Sequence, residues 1–211
     1  MKIKPLYLFG AIVALVIAIT LATIISFEND MATPAGADLV GFRQTKNLVI
    51  KSKVGSPFYG DTEFDSLLYF PENEGEVYSS EFYPIQKGEE LDLMPDRPGY
   101  ASHVVKGYVI LTNQTWRDTL FVLKDLEEPS DTAFFAPFSD GTNGKETYGG
   151  GRYLDVTVKK GKPVRVDFNF AYNPWCAYKA EYICARIPGF NRMSKNIEAG
   201  EKQYPETHAT P

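Results

Sequence analysis

Among the residues suited to chemistry, the densest group lies in one glycine-rich polar loop, Asp140-Gly141-Thr142-Asn143-Gly144-Lys145-Glu146-Thr147-Tyr148-Gly149-Gly150-Gly151-Arg152. Three consecutive glycines before an arginine permit close approach of a ligand to the backbone. Backbone N–H groups and one guanidinium suit a carboxylate or a phosphate. A tight loop with Arg152 paired to a nearby acid is the plainer alternative. Gly144-Lys145 does not make a nucleotide-phosphate loop, because Glu146 stands where Ser or Thr is required and a strand pattern follows instead of a helix.

Carboxylates offer a second chemistry. Asp140, Asp155, Asp167, Glu198 and Glu201 lie within or after this loop, and positioned acids suit general acid–base or metal-assisted hydrolysis. Asp155 and Asp167 sit on two alternating runs, 153–158 and 164–170, separated by Lys159-Lys160-Gly161-Lys162-Pro163. Period two on both arms predicts a hairpin. Val158 opposite Val164 would set Asp155 against Asp167 and Tyr153 against Asn169. Two facing carboxylates repel unless a cation, a shared proton or a metal intervenes. A two-residue slip would set Asp155 against Arg165 and remove the conflict. Both registers stay open.

Asn169, Asn173 and Asn191 are polar residues set in apolar or aromatic sequence. They suit backbone-tying turns first and ligand contacts second. The chain has two cysteines, Cys176 and Cys184. They could form a disulfide outside the cytoplasm, stay as buried thiols, or supply half of a metal site. A zinc site needs two further ligands, and the two histidines, His103 beside a strand and His208 near the end, give little support. No metal site is assigned. His103 alone is a weak basis for nucleophile–His–acid catalysis.

The elements that must position these groups read mainly as strands. After Asn47 strand patterns recur over Leu48–Val54, which alternates, Ser66–Phe70, which is apolar, Glu76–Ile85, Glu89–Leu93, Val104–Thr112, Arg117–Asp125 and Phe134–Phe138, broken by turns. Asn113-Gln114-Thr115-Trp116 is the expected turn of a hairpin. A short helix over Asp38–Lys46 is a weaker expectation. Aromatics make up 14% of the chain, in keeping with a β-rich core. The expected fold is therefore mainly β: a single compact antiparallel β-barrel or sandwich over 47–202. Residues 203–211 read as a disordered tail.

Ahead of it, residues 6–25 form an uninterrupted apolar run of about twenty, the length of a transmembrane helix. Lys2 and Lys4 precede it; Glu28 and Asp30 follow it. The positive side stays in the cytoplasm, so residues 1–5 are expected inside and the domain outside, as in a periplasmic signal-anchor protein. A cleaved signal peptide is the rival reading. Residues 26–46 read as a linker. The net charge of −5, with no basic block, argues against nucleic acid as a partner.

The order of motifs is itself informative. Gly144–Tyr148, Gly151–Tyr153, Asp167–Asn169, Ala171–Pro174, Cys176–Tyr178, Cys184, Asn191–Arg192 and Glu198–Lys202 follow one another as in the family called domain of unknown function 1684, and the chain resembles it over roughly residues 47 to 202. Ser56-Pro57 and Leu67-Leu68-Tyr69-Phe70-Pro71 resemble further family positions. Trp175 and Ala185 depart from prolines that are usual in the family. The chain looks like the short, membrane-attached form, without the extra N-terminal half that many members carry. The resemblance implies which residues form one unit and implies no activity.

The functional expectation is a binding or structural module for a small polar or anionic ligand or a cell-envelope partner. Its site residues would be Thr147, Tyr148, Gly151, Arg152, Tyr153, Asp167, Asn169, Asn173 and Glu198. The alternative is a carboxylate- or metal-dependent hydrolase-like enzyme using Asp155, Asp167 or Glu198. No cofactor is indicated; a flavin would rest on analogy with other small barrels alone.

Overall fold

The computed structural model describes residues 38–95 and 103–205. The expected transmembrane helix at 6–25 lies outside the described residues, as do 26–37 of the segment read as a linker and 206–211 of the tail. Among the described residues, no helix is long and apolar enough to cross a membrane.

The described chain opens with helix α1, Leu39–Ser52. Asp38 caps it: its carboxylate accepts from Val40 N at 3.0 Å and Gly41 N at 3.1 Å, satisfying N–H groups that the first turn leaves free. Leu39, Phe42 and Ile50 turn towards the interior, and Phe42 meets Phe170 edge to face at 5.0 Å. The strand expected at Leu48–Val54 is instead the end of this helix and the turn after it. Leu48, Val49 and Ile50 have strand propensity, but Asp38 starts a helix whose buried stripe overrides it.

Eight strands follow: β1 (Val77–Ser80), β2 (Phe82–Pro84), β3 (Glu90–Leu91), β4 (His103–Thr112), β5 (Arg117–Asp125), β6 (Ala133–Phe135), β7 (Asp155–Thr157) and β8 (Val164–Asp167). One six-stranded sheet runs β2-β4-β5-β6-β7, with β3 also on β4; β1 and β8 form a separate pair. Every ladder is antiparallel. The β4–β5 hairpin has the expected turn and extends from Thr112↔Arg117 to His103↔Asp125, with an irregularity between Val105 and Gly107. Among the described residues the fold is mainly β, with antiparallel sheets and one α-helix. The barrel is corrected: among the described residues no ladder joins β7 to β2, so the larger sheet is open.

The hairpin expected from Tyr153 to Phe170 is also corrected. β7 pairs with β6, setting Phe135 opposite Asp155, whereas β8 pairs with β1, setting Val77 opposite Asp167. Asp155 therefore faces neither Asp167 nor Arg165, and neither expected register forms. Alternation marks which face of a strand is apolar, but does not say which strand lies beside it. Residues 168–170 leave the ladder as a short 3-10 turn.

The main core joins both sheets. Val109, Leu111, Leu120 and Val122 of the larger sheet pack with Tyr78, Val164 and Val166 of the smaller one, together with Phe138, Phe168, Met193 and Ile197. A second cluster of Ile50, Phe58, Phe64, Leu67 and Tyr178 lies under the end of α1. Tyr204, expected in the tail, packs on it, with ring centres 4.9 Å from Phe58 and 6.1 Å from Phe64.

Candidate functional site

The glycine-rich loop binds itself. Asp140 Oδ1 accepts from Thr142 N at 2.8 Å and Thr142 Oγ1 at 2.6 Å, and the hydroxyls of Thr142 and Thr147 share a hydrogen at 2.7 Å. Asn143 Nδ2 donates to Thr147 Oγ1 and to the Tyr148 carbonyl. Gly151 has φ +90°, and a side-chain carbon there would lie 2.8 Å from the Phe138 carbonyl oxygen and 2.6 Å from Ile187 Cγ1. Its freedom therefore serves close packing of the chain.

That packing carries Arg152 inwards. Its side chain has no solvent exposure, and neither has that of Asp140. Nη2 donates to Asp140 Oδ2 at 2.8 Å and to the Ile197 carbonyl at 2.8 Å; Nη1 donates to the carbonyls of Ala199 and Glu201. Burial lowers the pKa of the guanidinium, and Asp140 opposes that shift. The two terminal nitrogens of Arg152 thus tie residues 197–201 to the loop at 140, while its Nε is buried without a partner.

The other expected site residues are dispersed. Tyr148 donates towards Cys176 Sγ at 3.8 Å, and Tyr153 donates to the Ala185 carbonyl at 2.6 Å. Asp167 accepts from Arg165 at 2.6 Å and caps its own 3-10 turn; Asn169 exchanges hydrogen bonds with the backbone of Asn73. Asn191 bridges Phe121 and Pro137. Glu198 is exposed, whereas Glu201 is fully buried. His103 is buried against Phe135, and burial lowers its pKa. Among the described residues no group of three or more His, Cys, Asp or Glu is placed to hold a metal ion.

Charged groups that keep some contact with solvent gather instead between α1 and the turn at 172–178. Lys46 Nζ lies 3.5 Å from Glu201 Oε2 and 4.0 Å from the centre of the Tyr172 ring. Glu201 accepts from Asn173 N at 3.1 Å, from Asn173 Nδ2 at 3.0 Å and from the Tyr178 hydroxyl. The half-buried Asp155 accepts from the Tyr172 hydroxyl at 3.0 Å. One turn earlier on α1, the guanidinium carbon of Arg43 lies 4.5 Å from the centre of the Tyr69 ring. Tyr69 forms a bridge with Glu201 along the backbone. Within this cluster, Arg43 Nε, Tyr69 Oη and Asn173 Oδ1 are buried without a hydrogen-bond partner. Of its members, the sequence singled out Asn173 as a site residue, and Asp155 and Glu201 as candidate acids. It missed Arg43, Lys46, Tyr69 and Tyr172.

Burial is the main force on Asp155 and Lys46. It pushes Asp155 up to about 6, against the Tyr172 hydrogen bond and the Lys46 charge, and it lowers Lys46 against the attraction of Glu201. The folded state therefore holds the Asp155 proton more tightly than the unfolded chain, whose value is about 3.9. Stability from this group is present at pH 4 and is lost as pH rises towards 6. The ¹³C carboxyl shift of Asp155 should titrate with a midpoint near 6. Asp155→Asn should gain stability relative to wild type over the same window. A midpoint near 4 would show that the carboxylate is well solvated.

Cys176 and Cys184 are joined as a disulfide eight positions apart. It closes the turn that carries Trp175 and Tyr178. Replacing both cysteines with serine should cost about 2–3 kcal/mol on the chain-entropy account. Chemical denaturation of that variant beside wild type measures it. A loss below about 0.5 kcal/mol would mean that the unfolded turn is already compact.

A family model and a solved structure match this chain. The family model described as "Protein of unknown function (DUF1684)" matches residues 62–202. The solution NMR structure of an uncharacterized protein from Haloarcula marismortui superposes with a TM-score of 0.63 at 22% identity, covering 80% of this chain and 93% of that one. At that identity the likeness concerns the fold. A search of curated proteins finds no match.

Proposed function

Because the chain belongs to the family of unknown function DUF1684, we propose its role from its own residues: a non-catalytic binding module for a small polar ligand. The site is the half-buried cluster of Arg43, Lys46, Tyr69, Asp155 and Tyr172 around Glu201. One observation carries this reading: three polar atoms of the cluster, Arg43 Nε, Tyr69 Oη and Asn173 Oδ1, are buried and unmatched. Buried polar atoms are nearly always paired, so such a group marks a place where a partner belongs.

The Gly149–Arg152 loop is the scaffold of this module. It fixes residues 197–201, and these present Glu201 to the cluster. We place the module outside the cytoplasm, behind an anchor at 6–25. The apolar run, its flanking charges and the cysteine pair support that placement.

Native mass spectrometry of the full-length chain, purified from its own host in mild detergent, tests the reading. A copurifying small molecule of defined mass, lost from the Tyr172→Phe variant, is the expected result. A bare chain from cells in every growth condition sampled would overturn it.

A further inference from the structure

Two of the unmatched atoms are donors, and both belong to the Arg43–Tyr69 pair. Arg43 gives Nη2 to the Phe70 carbonyl at 3.2 Å, which leaves its Nε–H buried without an acceptor. The Tyr69 hydroxyl is buried with no partner. Burial and the charge of Glu201 raise the Tyr69 phenol, so it stays protonated and can donate at neutral pH. Glu201 does not present a bare negative charge, since Lys46, Asn173 and Tyr178 all engage its carboxylate. Two acids oppose an anion here: Glu201, whose charge reaches the Tyr69 hydroxyl although Lys46 pairs with it, and Glu72, which is exposed and screened by solvent.

Unmatched donors beside a cation call for an acceptor that carries negative charge. Resting on the binding role just proposed, we infer that the cluster takes an oxyanion, the carboxylate or phosphate end of a small ligand, which accepts from Arg43 Nε and from the Tyr69 hydroxyl. The Tyr69 ring, covered by the guanidinium, forms one wall of that site. Lysine at position 43 would keep the charge and lose the directed Nε–H.

Titration calorimetry of the full-length chain with inorganic phosphate and, separately, with succinate tests the assignment. One of the two should bind saturably, and which one binds identifies the anionic group. Arg43→Gln and Tyr69→Phe should each weaken that binding by about tenfold or more, the usual range for a lost hydrogen bond to a charged group. Tyr69→Phe should leave the unliganded chain as stable as before, because its hydroxyl has no partner to lose. No saturable binding of either anion would overturn the inference, as would equal binding by both variants. A less stable unliganded Tyr69→Phe would overturn it too, by showing that an internal water already satisfies the hydroxyl. A neutral copurifying molecule would overturn the oxyanion alone and leave the binding role standing.

Discussion

Replacing Arg152 with methionine is expected to destabilise the domain by about 3–5 kcal/mol, the cost of breaking a buried ion pair by removing one partner. The change strands Asp140 as an unpaired charge in a site without solvent exposure. It also frees the carbonyls of Ile197, Ala199 and Glu201 from their donors. Arg152→Lys should recover little, because one ammonium cannot reproduce the fork that reaches the acid and three carbonyls. Against a typical stability of about 5–15 kcal/mol, such a loss leaves a domain near its unfolding threshold. Urea denaturation followed by tyrosine and tryptophan fluorescence measures it, with an unchanged slope confirming that stability alone has moved. A loss under about 1 kcal/mol would mean that residues 197–201 hold their place without the guanidinium.

Glu201→Ala should rank next, also at about 3–5 kcal/mol, for the complementary reason. Its carboxylate gathers Asn173, Tyr178 and Lys46, and the substitution leaves these donors facing an apolar gap. Glu201→Gln should recover only part of that loss: its amide oxygen still accepts from Asn173 Nδ2 and Tyr178, but its amide nitrogen turns a donor towards Lys46 and the Asn173 N–H. Glu198→Gln, three residues away in the same motif, is exposed and should change stability by no more than about 0.5 kcal/mol. Equal effects at 198 and 201 would refute the assignment of Glu201 as the buried member.

Glu198 and Glu201 also show how much of this site could be read from sequence. Both belong to the run Glu198-Ala199-Gly200-Glu201-Lys202, and the sequence-based site took the first. Extended backbone puts alternate residues on one side. Ile197 is apolar, so 197 and 199 should turn inwards together and 198 outwards, as they do. Gly200 then bends the chain at φ +77°, where a side-chain carbon would meet the carbonyl oxygens of Phe168 and Ala171 at 2.6 and 2.7 Å, and the run stays buried through Glu201. Helix α1 was harder to read. Positions 39, 42, 43, 46 and 50 follow a helical stripe, but Arg43 and Lys46 occupy it, so the apolar pattern is interrupted where the candidate site lies. The β4–β5 hairpin was legible because its two strands are adjacent in sequence and its turn is marked. The partners of β7 and β8 were not, since β6 and β1 are remote from them along the chain and no local pattern selects a distant neighbour.

The pairing of Lys46 with Glu201 has a consequence for synthesis. Helix α1 stands at the start of the described chain and Glu201 almost at its end, and the carbonyls that occupy Arg152 also lie in the last stretch. A nascent chain that stops before residue 197 carries a buried arginine with nothing but Asp140 to meet it, and a lysine that lacks Glu201 and has only Asp155 as its acid. The ribosome must therefore release nearly the whole domain before it can close. Contacts between the two ends of a chain are slow to form, because the intervening loop must be ordered first. Nascent chains arrested at residue 190 should be digested by protease as readily as an unfolded chain, whereas chains extruded past residue 205 should resist. Resistance at 190 would show that the β4–β5 hairpin and its neighbours fold without the closing segment.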